Sequence, residues 1–174
     1  ARTPDKVVNG KSRRQITAFI VDVDSPGVEI TYRCRFMGLK SLYNAVIMLK
    51  DVRVPRENII LGEGKGLKVA LTTLNTGRLT IPAACTGFMK RCIQISRRFS
   101  SDRVQWGSPI GHHAAIADKI AKMGAMTFAN ESMSLLTSAF VDRGGHDIRL
   151  EAAMCKMFGT EAAWEAIDET MQIR

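Results

Sequence analysis

"IPAACTGFMKRCIQISRRFSSD", residues 81–102, carries Ile81, Cys85, Phe88, Cys92, Ile95 and Phe99 at steps of four and three. That spacing puts six apolar side chains on one stripe of a 3.6-residue helix. Upstream, Leu67, Leu71 and Leu74 make a similar stripe, with Pro82 between the two. Proline has no N–H for the Arg78 carbonyl, so a kink is expected over residues 77–82. Downstream, Ser108 suits an N-cap and Pro109 a first helical position. A second helix is therefore predicted from there to about Val141, apolar on more than one side and hence sandwiched between neighbours. "DRGGHD" (142–147) is a turn with Asp147 as the next cap. The third helix then carries Leu150, Met154, Met157, Trp164 and Met171 at heptad spacing. Long antiparallel helices joined by short turns amount to a bundle lacking at least one member.

Ahead of residue 62 the period is different. "VEITYRCR" (28–35) alternates, with Val28, Ile30, Tyr32 and Cys34 on one face. "QITAFIVD" (15–22) is rich in β-branched residues, and Ser25-Pro26-Gly27 between the two suits a type II turn. A third apolar run, "NAVIMLKDVRVP" (44–55), ends at Pro55. Three strands without a partner sheet leave edges exposed, so these residues are part of a β-domain. The fold class is α+β: a partial antiparallel β-domain over residues 1–62, followed by an incomplete up-down four-helix bundle over 63–174.

The chain has 174 residues, an apolar fraction of 45% and a formal charge of +8, enough for a core and inviting an anionic partner. That partner could be nucleic acid, anionic lipid or a phosphate-bearing cofactor. Cys34, Cys85, Cys92 and Cys155 show no CxxC spacing and the histidines form no matching set, so no metal site is expected and the thiols are read as reduced. No apolar run is long enough for a bilayer. The opening "ARTPDKVVNGKSRRQ" looks like the middle of a longer chain, from which a targeting segment could have been cut.

"GEGKG" (62–66) lacks phosphate-loop spacing and reads as a strand-to-helix connection. Asn75 and Arg78, one turn apart, are either surface polar residues or a polar wall for a ligand beside the expected kink. Arg103 can grip phosphate oxygens with two prongs and Trp106 offers a flat face suited to a purine. Equally, Asp102 could pair with a neighbouring arginine and Trp106 could be a buried plug.

"ITAFIVDVDSPGV", "DVRVPRENII", "LGEGKGLKVAL", "LNTGR", "DRVQWGSPI" and "EAAMCKMFGTEAAWEAIDETMQI" resemble successive segments of the acyl-CoA dehydrogenases, and residues 131–164 are most similar to the very-long-chain branch. The resemblance implies a flavoprotein that binds FAD and oxidises long-chain acyl-CoA thioesters between Cα and Cβ in fatty-acid β-oxidation. It implies a homodimer or homotetramer with the FAD site shared across an interface, and electron-transfer flavoprotein as the acceptor. Arg103 matches an arginine near the cofactor's pyrophosphate, Gln105 the polar position beside it, and Trp106 the usual phenylalanine near its adenosine end. Ile110, His113, Ile116 and Gln172 match further cofactor positions. Asn75 matches a residue contacting the pantetheine arm, and Arg78 an arginine beside the reacting end of the substrate.

In some branches the catalytic glutamate directly precedes that arginine. Gly77 stands there, so no catalytic residue is expected in this chain, and the base is expected beyond Arg174. The 174 residues are then an inactive piece of the enzyme, with no nucleic-acid partner. A cytoplasmic place follows if the source is bacterial and a mitochondrial one if it is eukaryotic, with peripheral attachment to a membrane left open. The alternative is a non-enzymatic helical interaction module that binds an anionic partner.

Overall fold

Asn9 and Gly10 both sit at positive φ, 52° and 72°. This is the type I′ geometry that matches the twist of paired strands. It folds β1 (Arg2–Val8) back on β2 (Lys11–Ile16), with Val8 opposite Lys11 and Arg2 opposite Ile16. The computed structural model describes residues 1–174, which form two compact units, Ala1–Leu71 and Thr72–Arg174.

The first unit is a set of two-stranded pieces. β3 (Ala18–Phe19) pairs with β6 (Ile59–Ile60), and β4 (Val28–Arg33) with β5 (Ala45–Leu49). Before β4 the expected type II turn forms: the Val28 N–H donates to the Ser25 carbonyl at 3.1 Å and Gly27 takes φ +90°. The alternation over 28–35 is broken, because the β4–β5 register shifts between Ile30 and Tyr32. Ile30, Tyr32 and the β5 residues Val46 to Leu49 remain exposed, as strands without a covering layer must. Thr17 is the fully buried polar residue here; its hydroxyl meets that of Thr3 at 2.8 Å and accepts the Gly64 N–H at 3.0 Å. Gly66 lies against the Ile16–Ala18 backbone, where a Cβ would stand 2.8 Å from the Ile16 carbonyl oxygen. The glycines of "GEGKG" thus serve a tight strand-to-helix passage.

α1 (Gly66–Asp102) is one helix that continues through Pro82. α2 (Ala114–Arg143) and α3 (Arg149–Ile173) complete the second unit. α2 and α3 are antiparallel: Lys119 pairs with Glu169, Lys122 with Glu165, and the Thr137 hydroxyl meets the Cys155 thiol at 3.3 Å. The core gathers Cys85, Met89 and Cys92 from α1, Met123 from α2, and Ala162, Ala163, Ala166 and Ile173 from α3. Met89 and Met123 are fully buried, each stabilising the bundle by roughly 2 kcal/mol.

Four expectations change. The second helix begins at Ala114 and not at Ser108, because Ser108 and Pro109 are captured as a short strand, with Pro109 extended at ψ 135°. The large apolar residues noted at heptad spacing on α3 point outward, with Trp164 76% exposed. Its buried stripe is instead Ala152, Cys155, Gly159, Ala162, Ala163, Ala166 and Thr170. Small residues let helix backbones approach closely, so they take the seam and the bulky ones are left outside. α2 likewise has an open second face, with Phe128, Leu135 and Leu136 exposed rather than sandwiched. Asp147 bonds the Arg149 N–H at 3.2 Å from one position ahead of the cap residue, Ile148.

Candidate functional site

Where α1 stops, the chain turns twice within a few residues. The Arg103 N–H still donates to the Phe99 carbonyl at 2.9 Å, the last helical bond, and the Arg103 carbonyl then accepts the Ile110 N–H at 2.8 Å. Between them β7 (Val104–Gln105) pairs with β8 (Ser108–Pro109), joined by Trp106 and Gly107 at φ +50° and +82°. Glycine adopts this conformation freely, whereas a bulky side chain at positive φ costs about 1–2 kcal/mol. The strained residue is also the open one: Trp106 is 88% exposed. A hydrophobic side chain held in a costly conformation in order to face outward calls for a ligand-facing explanation.

His113 steadies the turn. Its Nε2 lies 3.2 Å from the Gln105 carbonyl oxygen, so that nitrogen carries the hydrogen, and its ring stands edge-on to the Trp106 indole with centroids 5.4 Å apart. Ile110 anchors the hairpin in the bundle at 6% exposure, and Ile116 packs against the core cluster. The side chains of Arg103 and Gln105 are exposed, and Arg103 forms no ion pair. Beside the hairpin lies a groove of about 420 Å³ lined by Arg97, Ser100, Ser101, Pro109 and His112 among others. Arg97 and Arg98 add unpaired positive charge on the last turns of α1. Five of the predicted residues, Arg103, Gln105, Trp106, Ile110 and His113, are thus brought together, with Ile116 just behind them.

The other predicted residues lie elsewhere. Gln172 is exposed near the end of α3. Asn75 and Arg78 are half-buried on α1, where the guanidinium donates to the Asn75 side-chain oxygen at 3.3 Å. They form a joined polar pair on one face. At 1.5 Å per residue, 25 residues separate Arg78 from Arg103 by roughly 37 Å along the helix. Gly77 has open space around it, with nothing within 4 Å of where a Cβ would stand.

The hairpin itself escaped the sequence reading. Its signal was a glycine as the second of two residues between Val104-Gln105 and Ser108, the position a type I′ turn favours. Asn130 escaped as well: it is a polar residue in an otherwise apolar helical run, and it proves to be fully buried.

The profile described as "Acyl-CoA dehydrogenase, C-terminal domain" matches residues 64–174. The chain is 48% identical over 162 residues to "Probable acyl-CoA dehydrogenase FadE10" of Mycobacterium bovis, covering 93% of this chain and 25% of that protein. It is 37% identical over 174 residues to the human very long-chain specific acyl-CoA dehydrogenase, mitochondrial, covering 99% of this chain and 27% of that protein. The chain therefore spans about a quarter of the length of these relatives. Its fold matches that of an acyl-CoA dehydrogenase complexed with FAD from Bacillus anthracis with a TM-score of 0.83 at 29% identity, covering 91% of this chain and 30% of that one.

Proposed function

Because the chain belongs to the acyl-CoA dehydrogenase family, we propose that the complete protein is an FAD-dependent oxidoreductase that desaturates fatty acyl-CoA thioesters between Cα and Cβ. The observation that carries this reading is the hairpin, which holds Trp106 outward in a strained conformation beside an unpaired Arg103. These side chains fit a flavin dinucleotide. Arg103 can give two parallel charge-assisted hydrogen bonds to diphosphate oxygens, and Trp106 can stack on the adenine. Gln105 and His113 stand beside them, Ile110 and Ile116 support the turn from behind, and Gln172 is a further contact from α3. FAD, when bound, supplies the two-electron acceptor for the Cα–Cβ bond.

Asn75 and Arg78 are the substrate-side groups. Asn75 would hold the pantetheine arm, and Arg78 would set a fixed positive charge beside the thioester end. Gly77 bears no carboxylate, so this turn positions the substrate, and the proposed base for the α-proton is a carboxylate beyond Arg174. The family resemblance implies a cofactor site shared between two copies. One copy's hairpin therefore serves the cofactor of another copy, and the working protein is a homodimer or a dimer of dimers. Long acyl chains as substrate, electron-transfer flavoprotein as acceptor, and a mitochondrial or bacterial cytoplasmic place belong to the same reading. No helix is long and apolar enough to cross a membrane.

The test is the complete protein, purified and examined for flavin absorbance that bleaches when long-chain acyl-CoA is added. Arg103→Ala should release FAD more readily, since a hydrogen-bonded charge contributes about 1.5–3 kcal/mol. A colourless protein, or one that ignores acyl-CoA, would leave the helical module with an anionic partner as the better account.

A further inference from the structure

Asn130 lies in the middle of α2 and is completely buried. Its amide nitrogen donates to the Pro82 carbonyl at 2.9 Å and to the Thr86 hydroxyl at 2.8 Å, and that hydroxyl donates to the same carbonyl at 3.1 Å. The triangle sets the amide's orientation, because a carbonyl can only accept and the reversed amide would press two oxygens together. The amide oxygen has no hydrogen-bond partner. It faces Gly159 of α3 so closely that a Cβ there would stand 2.5 Å away. Three helices thus meet at one side chain, and they meet at the proline inside α1.

A buried amide with an unpaired oxygen is expensive where an apolar residue would pack without penalty. Its place in the fold offers a reason. Pro82 withholds an N–H from the Arg78 carbonyl, which leaves residues 78–82 one backbone hydrogen bond short within a 37-residue helix. Asn75 and Arg78 sit just above that turn, and Asn130 grips the carbonyl just below it. We propose that Asn130 is a positioning residue: by clamping the Pro82 carbonyl against α2 and α3, it fixes the direction in which the Asn75–Arg78 turn projects toward acyl-CoA. This inference rests on the reading of Asn75 and Arg78 as substrate-side groups.

The experiment uses the complete, flavin-loaded protein and a long-chain saturated acyl-CoA. Asn130→Ala removes the clamp, Gly159→Ala displaces it from the α3 side, and Thr86→Val keeps the side-chain shape while removing the shared hydroxyl. Thr86→Val secures the test if either of the others fails to fold. Losing one or two buried hydrogen bonds beside Pro82 should lower kcat/KM for acyl-CoA by roughly 5- to 20-fold, mainly through KM. FAD retention should not change, because the hairpin begins 22 residues after Pro82, beyond the far end of α1. Arg78→Ala serves as the control for the underlying reading. Variants that melt earlier but keep the parent KM would show Asn130 to be structural only; if Arg78→Ala raised KM in that same series, the substrate-side reading would survive. An Arg78→Ala protein with unchanged kinetics would overturn both.

Discussion

Replacing Trp106 with asparagine separates the fold's interest in this residue from the ligand's. Asparagine tolerates φ near +50°, so the exchange should return about 1 kcal/mol of backbone strain. Against this stands the burial lost with the indole. At 88% exposure, about 30 Å² of a side chain of roughly 250 Å² is covered, or ~0.7 kcal/mol. The two effects nearly offset, and the variant should unfold within about 1 kcal/mol of the parent in urea. Flavin binding should respond differently, because stacking of a base on an aromatic ring contributes about 1–3 kcal/mol, which is a 5- to 150-fold loss of affinity. Both quantities can be read on the complete protein, from the urea midpoint and from the rise in flavin fluorescence on release. Trp106→Phe should recover most of the retention. Loss of more than about 2 kcal/mol of stability with flavin binding intact would refute the reasoning and make the indole a plug.

Two further outcomes follow from local geometry. Gly27→Ala forces a methyl onto the Lys50 carbonyl oxygen at a residue with φ +90°, where relief requires the β4–β5 pair to move. It should cost about 2 kcal/mol or more, seen as lost amide-exchange protection over residues 28–33 and 45–49. Asp147 is held at a pKa of about 2, below its ordinary 3.8, first by the side-chain hydrogen bonds from Arg149 and then by that residue's backbone N–H. Its folded pKa is the depressed one, so its contribution is present above pH 3.8 and disappears as pH falls through about 2. Arg149→Ala should move the carboxyl's NMR titration midpoint back toward the ordinary value.

What could be read from the residues followed their chemistry closely. The long helix α1, the Pro-Gly turn before β4 and the α+β class all rest on strong local preferences, and all three form. Of the predicted α1 stripe, however, Cys85 and Cys92 are buried while Ile81 and Phe88 are exposed. The start of α2 did not form as expected, since Ser108-Pro109 suits a cap and a strand end alike, and the outcome was decided by positive φ at Trp106-Gly107, two residues earlier. The Asn9-Gly10 hairpin carried a strong local signal that was passed over in a polar, basic segment. In α3 the heptad spacing of the large apolar residues does not mark the buried face. Large apolar residues suggest a core only when side-chain size decides packing, whereas here the alanines, a glycine and a cysteine make the contact. For the site, the grouping of Arg103, Gln105, Trp106, Ile110 and His113 was open to sequence reasoning because they are near neighbours. The Asn130 clamp was not, since it joins residues 44 and 48 positions apart.

The thiols give the molecule an internal clock. Cys34 is partly accessible beyond the end of β4, while Cys85, Cys92 and Cys155 are sealed inside the helices, and burial raises the pKa of Cys85. A thiol reagent should consume Cys34 at once and reach the other three only at the rate at which the bundle opens. With enough reagent to outpace reclosing, the pace of that slow phase would give the lifetime of the packed helices from cysteines already in the chain.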